Sequence, residues 1–122
     1  MVVDDEEKIR QIIRKYAEFE GHTVTEAADG MEAVMLCRQN PDLYSIIIMD
    51  VMMPVMGGLE AAQNIRKMDR PDAKTVAMIA MSANAFHDDV EQSLAAGMNV
   101  HMAKPLDFDK LLATIKEYCD KN

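Results

Sequence analysis

Short apolar runs that stop on a polar residue alternate with helix-period stretches along the whole chain, and this constrains the fold more than anything else. The clearest run is Ile46-Ile47-Ile48-Met49, ending at Asp50. Three consecutive isoleucines suit a strand buried on both faces, which belongs inside a parallel sheet. Val76–Met81 is a second such run, ending at Ser82. Met1–Val3 stops at Asp4-Asp5, Thr23–Ala27 is a weaker strand, and Val100–Ala103 stops at Lys104-Pro105.

Helical patterns fill the intervals. Glu6–Glu20 has Ile9, Ile12, Ile13 and Tyr16 at helical spacing and ends at Gly21. Asp29 and Glu32 form a capping-box pattern for a helix that reaches about Gln39, before the break at Asn40-Pro41-Asp42. Leu59–Met68 follows Pro54 and Gly57-Gly58, and Asp88–Ala96 is stopped by Gly97. Asp107 can cap a last helix, with Phe108, Leu111, Leu112 and Ile115 on one face. Five strand-then-helix repeats predict an α/β, doubly wound parallel sheet with helices on both faces. Right-handed crossovers put every strand's C-terminal end on one edge, where such sheets bind ligands.

Four of the five strands deliver a polar group to that edge: Asp4 and Asp5, Asp50, Ser82 and Lys104. Singly, each reads as a helix cap, a turn residue or a solvated lysine. Together, three converging carboxylates repel one another and call for a cation. Their oxygens are hard ligands that suit Mg²⁺, and the set holds no soft ligand for zinc. A carboxylate, Mg²⁺, a lysine and a hydroxyl can carry a phosphoryl group as an acyl phosphate. Asp50, after the most buried strand, is the natural nucleophile.

Composition narrows the partners. The chain has 122 residues, 13 Lys+Arg and 21 Asp+Glu, for a formal charge of −8. That balance disfavours nucleic acid and anionic membranes. No apolar run approaches the roughly 20 residues that span a bilayer, and Met1 is followed by no basic, then apolar leader. Cys37 and Cys119 form no C-x-x-C pair and read as reduced thiols of a cytoplasmic protein. No linker, repeat or low-complexity tract divides residues 1–122, so one domain is expected.

Val2-Val3-Asp4-Asp5-Glu6, the segment 48–58 around Asp50, the segment 81–85 with Ser82 and Asn84, and Ala103-Lys104-Pro105-Leu106 together resemble the receiver domains of two-component response regulators (the CheY-like family) over the whole chain. The resemblance implies a flavodoxin-like (βα)5 fold with strand order 2-1-3-4-5. It implies a phosphoacceptor at Asp50 and Mg²⁺ held by Asp5 and Asp4 with Asp50 and the backbone carbonyl of Met52. It implies a phosphoryl-pairing Lys104 before a cis Pro105, and a mobile hydroxyl at Ser82. The donor would be a phosphohistidine on a sensor histidine kinase or phosphotransfer domain. Output would pass through the face of the last two helices and the last strand to a second receiver or a downstream protein.

The chain departs from the family pattern in four places. The first strand is short, Gly57 stands where Asp is common, and His101 occupies the switch position usually held by Tyr or Phe. Met52 and Asn84 stand at the positions that tune dephosphorylation. An alternative outside the switch class is a Mg²⁺-dependent aspartyl-phosphate phosphatase, which commonly has an acid where this chain has Met52. A flavodoxin-like cofactor protein is a third reading, but Asp4-Asp5-Glu6-Glu7 would repel a phosphate after the first strand. A receiver that takes no phosphate would not need the acidic set intact.

Overall fold

The computed structural model describes residues 1–40, 44–53, 55–83 and 87–120. In chain order the elements are β1 (Val2–Val3), α1 (Glu7–Phe19), β2 (Glu26–Ala27), α2 (Gly30–Gln39), β3 (Ile46–Asp50), α3 (Gly58–Arg66), α4 (Pro71–Thr75), β4 (Ala77–Ser82), α5 (His87–Ala95), β5 (Val100–Ala103) and α6 (Phe108–Asp120). The strands form one parallel sheet in the order β2-β1-β3-β4-β5. The predicted fold class and strand order are those found.

The isoleucine run explains the layering. Every residue of β3 is buried, and alternation sends its side chains to opposite faces. Ile47 and Met49 join Val34, Cys37, Ala61 and Ile65, so α2 and α3 cover one face. Ile46 and Ile48 join Ile13, Leu111 and Ile115, so α1 and α6 cover the other. Met49, Met78 and Met81 are fully buried, as core filling requires. β1 is only two residues long, yet pairing with β3 already begins at Met1. Its amino group donates to the Ile46 carbonyl (2.8 Å), and its carbonyl accepts from Ile48 N (2.8 Å).

Three expectations are corrected. β2 is Glu26–Ala27, not Thr23–Ala27, because only those residues pair with β1. A short helix, α4, precedes β4; Pro71 starts it, where a missing N–H costs nothing, and its own Ala73 is buried. On α1 the predicted apolar face divides: Ile13 is buried, whereas Ile12 and Tyr16 are exposed with Phe19. Tyr16 instead stacks on Phe108, with ring centroids 4.8 Å apart. Asp29 does cap α2, accepting from Glu32 N at 2.8 Å, and Asp107 accepts from Lys110 N at 3.2 Å.

Arg66 ties the end of α3 to the turn before β5. Its guanidinium donates to the Gly97 carbonyl (3.0 and 2.7 Å), the Ala73 carbonyl (3.2 Å) and Asn99 Oδ1 (3.1 Å). Gly97 has φ +103°, and a Cβ there would meet Arg66 Cγ at 2.9 Å. No helix among the described residues is long and apolar enough to cross a membrane.

Cys37 is fully buried, and burial pushes its thiol up to about 11. The thiolate is the reactive form. Cys37 should therefore resist iodoacetamide at neutral pH in the folded chain and react once urea unfolds it. Peptide mapping that finds Cys37 alkylated at equal rates in both states would contradict this packing.

Candidate functional site

The carboxyl ends of β1, β3, β4 and β5 bring Asp4, Asp5, Asp50, Ser82 and Lys104 to one edge of the sheet. Asp4 is wholly buried, Asp50 and Ser82 nearly so, and Asp5 is exposed. One carboxylate oxygen from each of Asp4, Asp5 and Asp50 lies within 4.8 Å of the others. The convergence predicted from the strand ends is present in the structure.

Lys104 is closer to the acids than the sequence suggests. The family resemblance pairs Lys104 with a phosphoryl group and the acids with a cation. Instead Nζ donates to Asp4 Oδ2 and Asp50 Oδ2, each at 3.1 Å. The remaining oxygens are held by the backbone: Glu6 N donates to Asp4 Oδ1 (2.9 Å) and Met52 N to Asp50 Oδ1 (3.2 Å). Arg10 fixes the turn after β1 by donating to the Asp4 carbonyl at 2.7 Å while its Nε pairs with Glu26 at 3.2 Å.

Electrostatics follow from this crowding. Burial holds the Asp50 carboxyl above the usual carboxylate range. The Lys104 hydrogen bond opposes that, the nearby Asp4 charge adds to it, and the Lys104 charge and Met52 N oppose it again. One ammonium shared between two acids does not outweigh the desolvation of Asp50. Burial pulls the Lys104 ammonium down, but its bonds to Asp50 and Asp4 carry it net upward.

Backbone contacts set the frame. Lys104 N donates to the Ser82 carbonyl at 2.7 Å, joining the ends of β4 and β5. The Lys104–Pro105 peptide is cis, as the family resemblance implies. Gly58 N donates to the Val51 carbonyl (2.9 Å), closing the loop after β3. A Cβ on Gly58 would overlap the Asp50 carbonyl oxygen. Val55 in that loop has φ 68°, a left-handed conformation rare for a β-branched residue, and nothing in the sequence signals it.

Met52 is exposed, Met53 is partly buried and Met56 is buried. His101 on β5 is half-buried, with Nδ1 3.1 Å from Ser93 Oγ on α5. Sequence reasoning missed Ser93, since a serine inside a helix gives no signal of its own. Asn84 lies outside the described residues.

The oxygen donors suit a small hard cation. Of the three acids at this edge, Asp4 and Asp50 are buried and Asp5 is exposed.

Comparison with known proteins agrees with the geometry. The family model for the response regulator receiver domain matches residues 1–116. Two-component system protein A of Emericella nidulans is 43% identical over 89 residues, covering 73% of this chain and 12% of that protein. The receiver domain of Francisella response regulator 1452 superposes with a TM-score of 0.87 at 30% identity, covering 99% of this chain and 96% of that one. The receiver domain of the sensor histidine kinase PA1611 of Pseudomonas aeruginosa, with a magnesium ion coordinated in its active-site cleft, gives 0.81 at 31% identity, covering 96% and 93%. The chain spans 88% of one curated relative but only 51% and 12% of two others. With the strand order and the acidic edge, these matches settle the family: the chain belongs to the response regulator receiver domains, the signalling domains of two-component phosphorelays.

Proposed function

We propose that Asp50 is the phosphoacceptor of a cytoplasmic phosphorelay and that the whole of residues 1–122 serves as one receiver unit. The observation that carries this reading is the set of three carboxylate oxygens within 4.8 Å, with Lys104 bound to two of those acids.

An Asp50 oxygen attacks the phosphorus of a phosphohistidine on a sensor kinase or phosphotransfer domain. The P–O bond forms as the P–N bond breaks, and the donor's imidazole, already protonated on its other ring nitrogen, leaves as neutral imidazole. Lys104 leaves its pairing with Asp50 to meet the incoming phosphoryl oxygens. Ser82, at the end of β4, donates its hydroxyl to another of them. Asp5, Asp4, Asp50 and the Met52 carbonyl would hold Mg²⁺, which supplies charge neutralisation on the transferring oxygens. Ser82 and His101 then act as the movable pair, and output passes through α5, β5 and α6 to a second receiver or a downstream protein. The phosphatase reading lacks its second acid, since the residue two beyond Asp50 is the exposed Met52.

Incubation with labelled acetyl phosphate tests this directly. Uptake is expected with Mg²⁺ and none with EDTA; equal uptake in both would overturn the metal's part. Met52 bears on lifetime. Its apolar side chain cannot orient an attacking water, so Met52→Asn should shorten the phosphoaspartate half-life several-fold, read by loss of label over time. An unchanged decay rate would remove that role.

A further inference from the structure

Register places His101 and Ser82 on the same face of the sheet. Met102 packs between Ile79, Met81 and Leu111, so its neighbours His101 and Ala103 point the other way. His101 pairs with Ala80 and Ala103 with Ser82. Ser82 shares its face with Ala80, two residues back on the same strand. The two residues that lie between His101 and Ser82 on this surface, Ala80 and Ala103, carry only methyl groups. No large side chain of β4 or β5 separates the ring from the end of β4.

α5 lies over the same face, because Ser93 reaches the His101 ring there. Ser93 is completely buried, and its Oγ is 3.1 Å from His101 Nδ1. A buried hydroxyl keeps a hydrogen-bond partner. At an inner helix position alanine would pack at lower conformational cost. Whatever else the hydroxyl meets, its 3.1 Å approach to Nδ1 adds a directional contact between the ring and α5 to the packing.

We propose that Ser93 is a positioning residue, a latch that holds His101 against α5 in the unphosphorylated chain. Movement of the ring toward Ser82 breaks the Ser93 bond and so frees α5 from β5. This rests on the reading of Ser82 and His101 as the movable pair. It adds the element that resists the movement and the helix that is released. An aromatic residue without a ring nitrogen could not be held this way, so the latch is specific to the histidine at this position.

Beryllofluoride with Mg²⁺, a phosphoryl mimic, tests the latch by NMR titration of the full chain. Serine to alanine favours the helix, so Ser93→Ala should fold. Loss of one hydrogen bond that opposes the bound state should tighten apparent beryllofluoride affinity about three- to tenfold. The His101 Nδ1 resonance of the unbound variant should move toward its position in the beryllofluoride-bound wild type. In a His101→Phe background, Ser93→Ala should leave affinity unchanged, because the interaction is already gone. Equal affinity in wild type and Ser93→Ala would overturn the latch while leaving the phosphoacceptor reading intact. So would an effect of the same size in the His101→Phe background. A wild type that binds no beryllofluoride would overturn the phosphoacceptor reading and the latch with it.

Discussion

Asp50→Asn is expected to take up no phosphoryl group from acetyl phosphate, its label falling to background, and yet to melt at a higher temperature than the wild type in magnesium-free buffer. The first half follows from chemistry: an amide is not a nucleophile toward phosphorus at neutral pH. The second follows from burial. Desolvation holds the Asp50 carboxyl above its ordinary range, with Asp4 repulsion adding to this and Lys104 opposing it. An acid whose folded-state value is raised binds its proton more tightly when folded. Its contribution is then most favourable below the unfolded value of about 3.9 and is lost as pH rises through the folded value. The advantage of the asparagine variant should therefore grow from acidic to neutral pH, measured by thermal melts in EDTA. Magnesium should reverse the order by binding the folded wild type through mass action. A variant that melts lower than the wild type at every pH in EDTA would contradict the electrostatic account.

Gly58→Ala is expected to damage both stability and phosphorylation. The added Cβ would overlap the Asp50 carbonyl oxygen and sit 3.0 Å from Asp50 C and from Val51 Cα. All three are backbone atoms, so relief requires moving the chain that carries Asp50. Overpacking of this kind costs about 2 kcal/mol, roughly 6–12 °C in melting temperature. Misplacing the nucleophile by even part of an ångström should lower the labelling rate tenfold or more, on the order of effects seen for misplaced reacting groups. Gly57→Ala is the matched control, because its Cβ would meet only the Val51 carbonyl oxygen, at 3.1 Å. Its melting temperature should fall much less. Equal losses in the two variants would show that the close approach at Gly58 is not the reason.

The sheet and its acidic edge were legible because they rest on strong local signals. Ile46–Met49 cannot be solvated on either face, and four of the five strands stop on a polar residue where the buried layer ends. Weaker features were hidden for physical reasons. α4 spans one short turn, too little for periodicity, although Pro71 after Arg70 carried a helix-start signal. On α1, Ile12 and Ile13 are adjacent in sequence but on different rows, and period alone cannot say which row the sheet covers. Tertiary packing chose Ile13 and Ala17. Lys104 was identified as a site residue, but its direct bonds to Asp4 and Asp50 depend on a side-chain reach that spacing does not encode. Ser93 was invisible for a related reason: its meaning lies in a contact between α5 and β5.

Asp50 itself should carry the phosphoryl group. Borohydride reduces an acyl phosphate to the alcohol, which would convert a phosphorylated Asp50 to homoserine. Peptide mapping after acetyl phosphate, Mg²⁺ and borohydride should find homoserine at position 50, with none in EDTA. Homoserine at Asp4 or Asp5 instead, or an unmodified position 50 in chain that has taken up label, would contradict the account.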